Sequence, residues 1–167
     1  MLLDLKQQER DAIATNPYWF YEPSDGSVTE EGRQIMAKYL KPEHIPDGAL
    51  DCQMDVHTSD ADITLCAGGN QVGKSTVGAI TGYIWTTGEV PESLKGKVPD
   101  SMLPHSWPQH VRVEGVDWPT MQKNVIPAFR YWAPREYLES GEWDKAFSVQ
   151  EQILTLTKAG KVIGTVE

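Results

Sequence analysis

Gly68-Gly69-Asn70-Gln71-Val72-Gly73-Lys74-Ser75 is the stretch on which the reading of this chain turns. It fills every fixed position of the pattern G-x-x-x-x-G-K-[ST], a loop that cradles the phosphates of a nucleotide. Each fixed residue answers a separate need of a polyanion. Glycines let the backbone curl until successive N–H groups converge on phosphate oxygens in a concave nest. Lys74 would place a positive charge on the outer phosphates, and the Ser75 hydroxyl would ligate Mg²⁺. A helix starting at the end of the loop adds the positive end of its dipole.

Upstream, Ile63-Thr64-Leu65-Cys66-Ala67 is a short apolar run after the polar turn Ser59-Asp60-Ala61-Asp62, and reads as a buried strand. Downstream, Ser75 to Thr87 carries Val77, Ile80, Ile84 and Trp85 at helical spacing and is closed by Gly88. Strand, glycine loop and helix is the order the loop requires. Gly88 to Pro108 has no clear period and reads as a long surface excursion. Val111-Arg112-Val113-Glu114-Gly115-Val116 alternates as a second strand. Pro119 suits a first helical position, and Met121, Val125, Ile126 and Phe129 form the face of the helix that follows. Gln152 to Thr157, the turn Lys158-Ala159-Gly160-Lys161 and Val162 to Val166 predict a β-hairpin.

The expected fold is therefore α/β: a P-loop NTPase-type parallel sheet with flanking helices, plus a C-terminal β-hairpin. A doubly wound sheet would continue past the hairpin, so a sheet incomplete at the C-terminus is expected. The core is placed at residues 51–167 and an N-terminal helical extension at 1–50. In that extension Leu2 to Ala14 reads as a helix stopped by Asn16-Pro17. The aromatic run Tyr18-Trp19-Phe20-Tyr21 reads as a latch onto the core, with a stacking platform as the competing use. Ser27-x-x-Glu30 resembles a capping box ahead of Ile35, Met36, Tyr39 and Leu40, and the boundary falls near Ile45-Pro46-Asp47-Gly48.

Composition narrows the function classes. With 167 residues there is room for one sizeable core. A net charge of −9 argues against a free-standing nucleic-acid-binding face. No apolar run reaches the length of a membrane span, and charges from Asp4 onward interrupt any signal-like start, so a cytosolic chain is expected. Cys52 and Cys66 fit that compartment as reduced residues. His44, His57, His105 and His110 show no zinc spacing beside them, and Asp55, Asp60 and Asp62 read as solvated turn residues. The six tryptophans form no stripe and read as packing residues.

Hydrolysis needs more than a cradle: an acidic residue at a neighbouring strand tip for the Mg²⁺ water shell, and a group that orients the attacking water. No run of four apolar residues followed by Asp occurs between Thr76 and Glu167. The nearest segment, Val113-Glu114-Gly115-Val116-Asp117, is interrupted and reads better as a strand end leading into a helix start. Glu114 and Asp117 are weak candidates, and Lys74 stands as the candidate catalytic residue. Mg²⁺-ATP binding with little turnover is the expectation.

The loop with its preceding Cys66-Ala67 resembles the glycine-glycine-asparagine version found in large terminase subunits of tailed bacteriophages. The likeness extends through the Val111–Asp117 segment, the following helix and the terminal hairpin, over roughly residues 50 to 167. It implies the N-terminal ATPase of a DNA-packaging motor in the host cytoplasm, with ATP and Mg²⁺ as cofactors. By the resemblance, Gly68, Gly69, Asn70, Gln71, Val72 and Gly73 form the cradle, and Lys74 meets the β and γ phosphates. Ser75 would meet Mg²⁺, and Thr76 would lie near the α phosphate. The implied partners are phage double-stranded DNA, the portal and the small terminase subunit, with homo-oligomers in the full-length motor and no membrane. Many family members carry Arg where Gln71 stands here. The acidic strand and the RNase H-like nuclease of the family would fall beyond Glu167. Two other readings compete: a small nucleotide or metabolite kinase, for which Arg112, Arg130 and Arg135 are the arginines available after the loop, and an idle remnant or interaction module.

Overall fold

A computed structural model describes residues 2–27, 53–61 and 73–167, with the single positions 30, 34, 38 and 64. The chain enters through α1 (Leu2–Thr15) and, after Asn16, a 3-10 turn at Pro17–Phe20. Next come α2 (Gln53–Thr58) and α3 (Lys74–Thr87). The expected strand at 63–67 apart from Thr64, the loop positions Gly68 to Val72, the helix expected after Ser27 and the boundary near Ile45–Gly48 lie outside the described residues.

α3 is the central helix. Val77, Ala79, Ile80, Tyr83 and Ile84 are buried along it, and its ends are set by glycines in the left-handed region. Gly73 stands at φ 80° before the first turn. Gly88, at φ 72°, closes the last turn by donating its N–H to the Ile84 carbonyl at 2.8 Å. Buried Thr86 and Thr87 satisfy their hydroxyls on the Gly82 and Tyr83 carbonyls. Trp85, expected on the buried face, is 45% exposed. One residue past Ile84 the helix has turned about 100°, which brings Trp85 to an open side.

Four described strands make one sheet: β1 (Gln109–Val111), β2 (Phe147–Ser148), β3 (Ile153–Lys158) and β4 (Lys161–Val166), in the order β1-β4-β3-β2. The fold is mixed α/β, and the expected purely parallel sheet is corrected: β1 runs parallel to β4, whereas β3–β4 and β2–β3 are antiparallel. The reason is local. Ala159 and Gly160 both have positive φ (51° and 74°), the two-residue turn whose twist suits a hairpin. The hairpin is not an appendage, because β4 itself pairs with β1 and carries β3 into the same sheet. β1 also lies earlier than the alternation at 111–116 predicts. Pairing continues only as far as the Val113 N–H, which donates to the Glu167 carbonyl at 2.7 Å, and Val116 is 95% exposed.

Asp117 caps the next helical stretch by accepting the Thr120 N–H at 2.7 Å, with Pro119 in the first turn as its fixed φ favours. This stretch comprises α4 (Trp118–Thr120), a π-helical turn at Met121–Val125 and α5 (Ile126–Trp132). Pro127 explains the wide turn: it lacks an N–H, and its ring would press on the carbonyl four residues back in a regular helix. A short α6 (Trp143–Ala146) leads into β2. The core gathers Tyr18 and Tyr21 from the arm, Ile80, Tyr83 and Ile84 from α3, Phe129 from α5, Trp143 from α6, and Leu154, Leu156 and Val166 from the sheet. The excursion at 88–108 is pinned by Leu94 and Met102, both buried on 3-10 turns. Trp143 alone of the six tryptophans is buried; Trp85 and Trp107 are exposed.

Candidate phosphate-binding site

Of the nine expected loop residues, Gly73, Lys74, Ser75 and Thr76 are described, and the structure brings them together at the start of α3. Gly73 takes a conformation (φ 80°, ψ 16°) that an L side chain rarely adopts. Its carbonyl accepts the Val77 N–H at 3.0 Å, the first bond of the helix. Gly73 has no side chain with which to cap this end, and no acidic residue lies in the first turn. The positive end of the dipole and the first-turn N–H groups therefore carry no anionic side chain of their own helix. Lys74 is exposed beside them, while Ser75 and Thr76 are half-buried. Gly68, Gly69, Asn70, Gln71 and Val72 lie outside the described residues.

From Lys74 and Ser75 a cleft of about 490 Å³ runs along Gly78 and Gly82 to Trp85. Val111 to Glu114, Val125 and Phe129 also line it, together with Ser59, Ala61 and Thr64. The two weak acidic candidates separate here. Glu114 lines the cleft and pairs with Arg112 at 3.3 Å, both largely exposed. Asp117 is spent on its cap: hydrogen bonds from the Thr120 hydroxyl and amide hold its carboxyl below the usual range. Of the other arginines, Arg130 pairs with Asp144 at 3.0 Å, and Arg135 sits on the 3-10 turn Arg135–Tyr137. Among the described residues no three His, Cys, Asp or Glu side chains gather as metal ligands. No described helix is long and apolar enough to cross a membrane.

No family model, no curated protein and no solved structure matches the chain. The start of α3 suits an anion: a glycine turned left-handed, a first turn without an acidic residue, a lysine and a hydroxyl in the same turn.

Two residues beside the site were not visible in the sequence. Gln53, at the start of α2, lies against Gly73, where a Cβ would collide with its side-chain amide nitrogen. His57, one turn later, is fully buried, with Nε2 3.0 Å from the Tyr21 hydroxyl and Nδ1 3.3 Å from Thr81 Oγ1 on α3. Burial pushes its imidazole down to about 4, so it is neutral at physiological pH. Gln53 to Thr58 carries no apolar period, and neither residue belongs to a recognisable spacing. Their contacts reach across 20 and 24 positions.

Proposed function

We propose that the start of α3 binds the phosphates of Mg²⁺-ATP, in the ATPase part of a bacteriophage DNA-packaging motor of the large-terminase kind. The observation that carries the nucleotide reading is Gly73-Lys74-Ser75 itself. The glycine of the phosphate-loop pattern stands left-handed at the helix start, with the lysine and serine in a first turn that holds no acidic residue. The Gly68–Ser75 sequence and its Cys66-Ala67 approach support the choice of family. In this reading Lys74 contacts the outer phosphates and Ser75 the Mg²⁺, with Gly68 to Val72 completing the cradle and Thr76 near the α phosphate. Double-stranded DNA, the portal and the small subunit are the partners the reading implies.

Little turnover is expected from this chain by itself. Asp117 is engaged as a cap and Glu114 is paired with Arg112, which leaves neither poised to organise a Mg²⁺ water shell. Calorimetric titration with Mg²⁺-ATP tests the reading. Lys74→Ala is expected to abolish binding, and Ser75→Ala to remove the Mg²⁺ dependence of the affinity. A wild-type chain without affinity at millimolar nucleotide would sink the proposal. Rapid phosphoryl transfer to a small acceptor would replace the motor with a kinase.

A further inference from the structure

The side-chain amide of Gln53 joins two segments far apart in sequence. Its nitrogen packs on Gly73, where any Cβ would strike it. Its oxygen accepts the Ser24 N–H at 3.0 Å and lies 3.5 Å from the Tyr21 hydroxyl. The pairing with Ser24 is reciprocal: the Gln53 N–H donates to Ser24 Oγ at 3.3 Å, and the Met54 N–H to the Ser24 carbonyl at 3.1 Å. Tyr21 is itself fixed, with its ring buried, its carbonyl accepting the Ser93 hydroxyl at 2.6 Å and its own hydroxyl on His57. The amide is thus held from the arm side and presses on a residue with unusual backbone freedom. A left-handed glycine has no side chain to lock its φ and ψ, so what packs against its Cα narrows them.

We infer that Gln53 is a positioning residue through which the N-terminal arm sets the backbone of Gly73, and with it the affinity of the α3 start for nucleotide phosphates. The inference rests on the phosphate-binding reading and adds a means of regulating it. With Tyr21 and Ser24 seated, Gly73 is held in the shape that aims the first-turn N–H groups at an anion. With the arm lifted, Gly73 relaxes and the first-turn N–H groups lose that aim.

Two readouts on the full chain test this: amide exchange at Val77, whose N–H bonds the Gly73 carbonyl, and calorimetric titration with Mg²⁺-ATP. Gln53→Ala should speed Val77 exchange and weaken ATP binding about tenfold, the equivalent of one lost hydrogen-bonded contact at the site. Gln53→Glu keeps the acceptor for Ser24 but sets an anionic oxygen against Gly73, and should weaken ATP at least as much. Tyr21→Phe should weaken binding in the wild-type background and add nothing to Gln53→Ala, because both act along one route. A lower melting temperature with unchanged affinity and exchange would mark the contact as merely structural and overturn the inference. If Lys74→Ala and wild type bind ATP equally poorly, the phosphate reading fails. The exchange arm then still decides whether Gln53 governs Gly73, and unchanged Val77 exchange in Gln53→Ala overturns that link independently.

Discussion

Gly73 carries two constraints at one atom: a left-handed backbone and a neighbour that leaves no room for a Cβ. Gly73→Ala is therefore expected to lower stability by more than the roughly 1 kcal/mol that the conformation alone costs an L residue. Adding Gln53→Ala should return part of that loss, since it removes the colliding amide; thermal melts of the three variants check this. The glycine was legible in the sequence because the loop pattern demands it, whereas Gln53 was not, because a side chain touching a backbone 20 residues away leaves no period. His57 was hidden for the same reason, and its burial has a pH consequence. Its folded pKa of about 4 lies below the ordinary value near 6.5, so the unfolded chain binds the proton more readily between those values. The stability it permits is full above pH 6.5 and falls as pH drops through the window, by about 2 kcal/mol between pH 7 and pH 5. Urea midpoints for wild type and His57→Gln at the two pH values should show a flatter pH response in the variant; parallel responses would contradict it.

At the scale of elements, the hairpin was the most legible part of the fold. Lys158-Ala159-Gly160-Lys161 specifies its own turn, and buried Leu154 and Leu156 alternate with half-buried neighbours as a one-sided strand should. The parallel pairing of β4 with β1 was not legible, since it joins residues 55 apart (Gln109 with Gly164) and depends on how closely β4 approaches its neighbours. Gly164 permits that approach. A Cβ there would run into the Thr86 methyl of α3 and the Gln109 carbonyl of β1. Gly164→Ala should cost about 1–3 kcal/mol as overpacking, and Thr86→Ser in the same chain should recover part, by deleting the methyl but not the carbonyl. Chemical denaturation of the single and double variants measures both terms. No recovery would place the whole conflict on the β1 backbone. The start of the α4 stretch was likewise written in Asp117 and Pro119, whereas Pro127 announces a break in the helix without specifying that the break takes the form of a π turn.

At the scale of the molecule, the question is what keeps the N-terminal arm on the body, since the arm supplies Tyr21 and Ser24 to the site. Two kinds of attachment are present. Tyr18 is fully buried edge-on to Tyr83 at 6.1 Å between centroids, and its hydroxyl donates to the Glu89 carbonyl at 2.6 Å. Asn16 and Trp19 instead donate side-chain hydrogen bonds, both 2.7 Å long, to the exposed carboxylate of Glu136. Burial of a large aromatic outweighs hydrogen bonds that water can replace. Tyr18→Ala is thus expected to cost about 3–5 kcal/mol, and Glu136→Ala about 1 kcal/mol or less. Denaturant titrations give both numbers. The order has a consequence for the site. An arm held by buried rings stays seated at high salt, where exposed charges are screened, so the Tyr21–Ser24–Gln53 link should persist there too. Were Glu136→Ala the costlier change, the attachment would be polar, and Val77 exchange would then have to rise with salt in the wild-type chain.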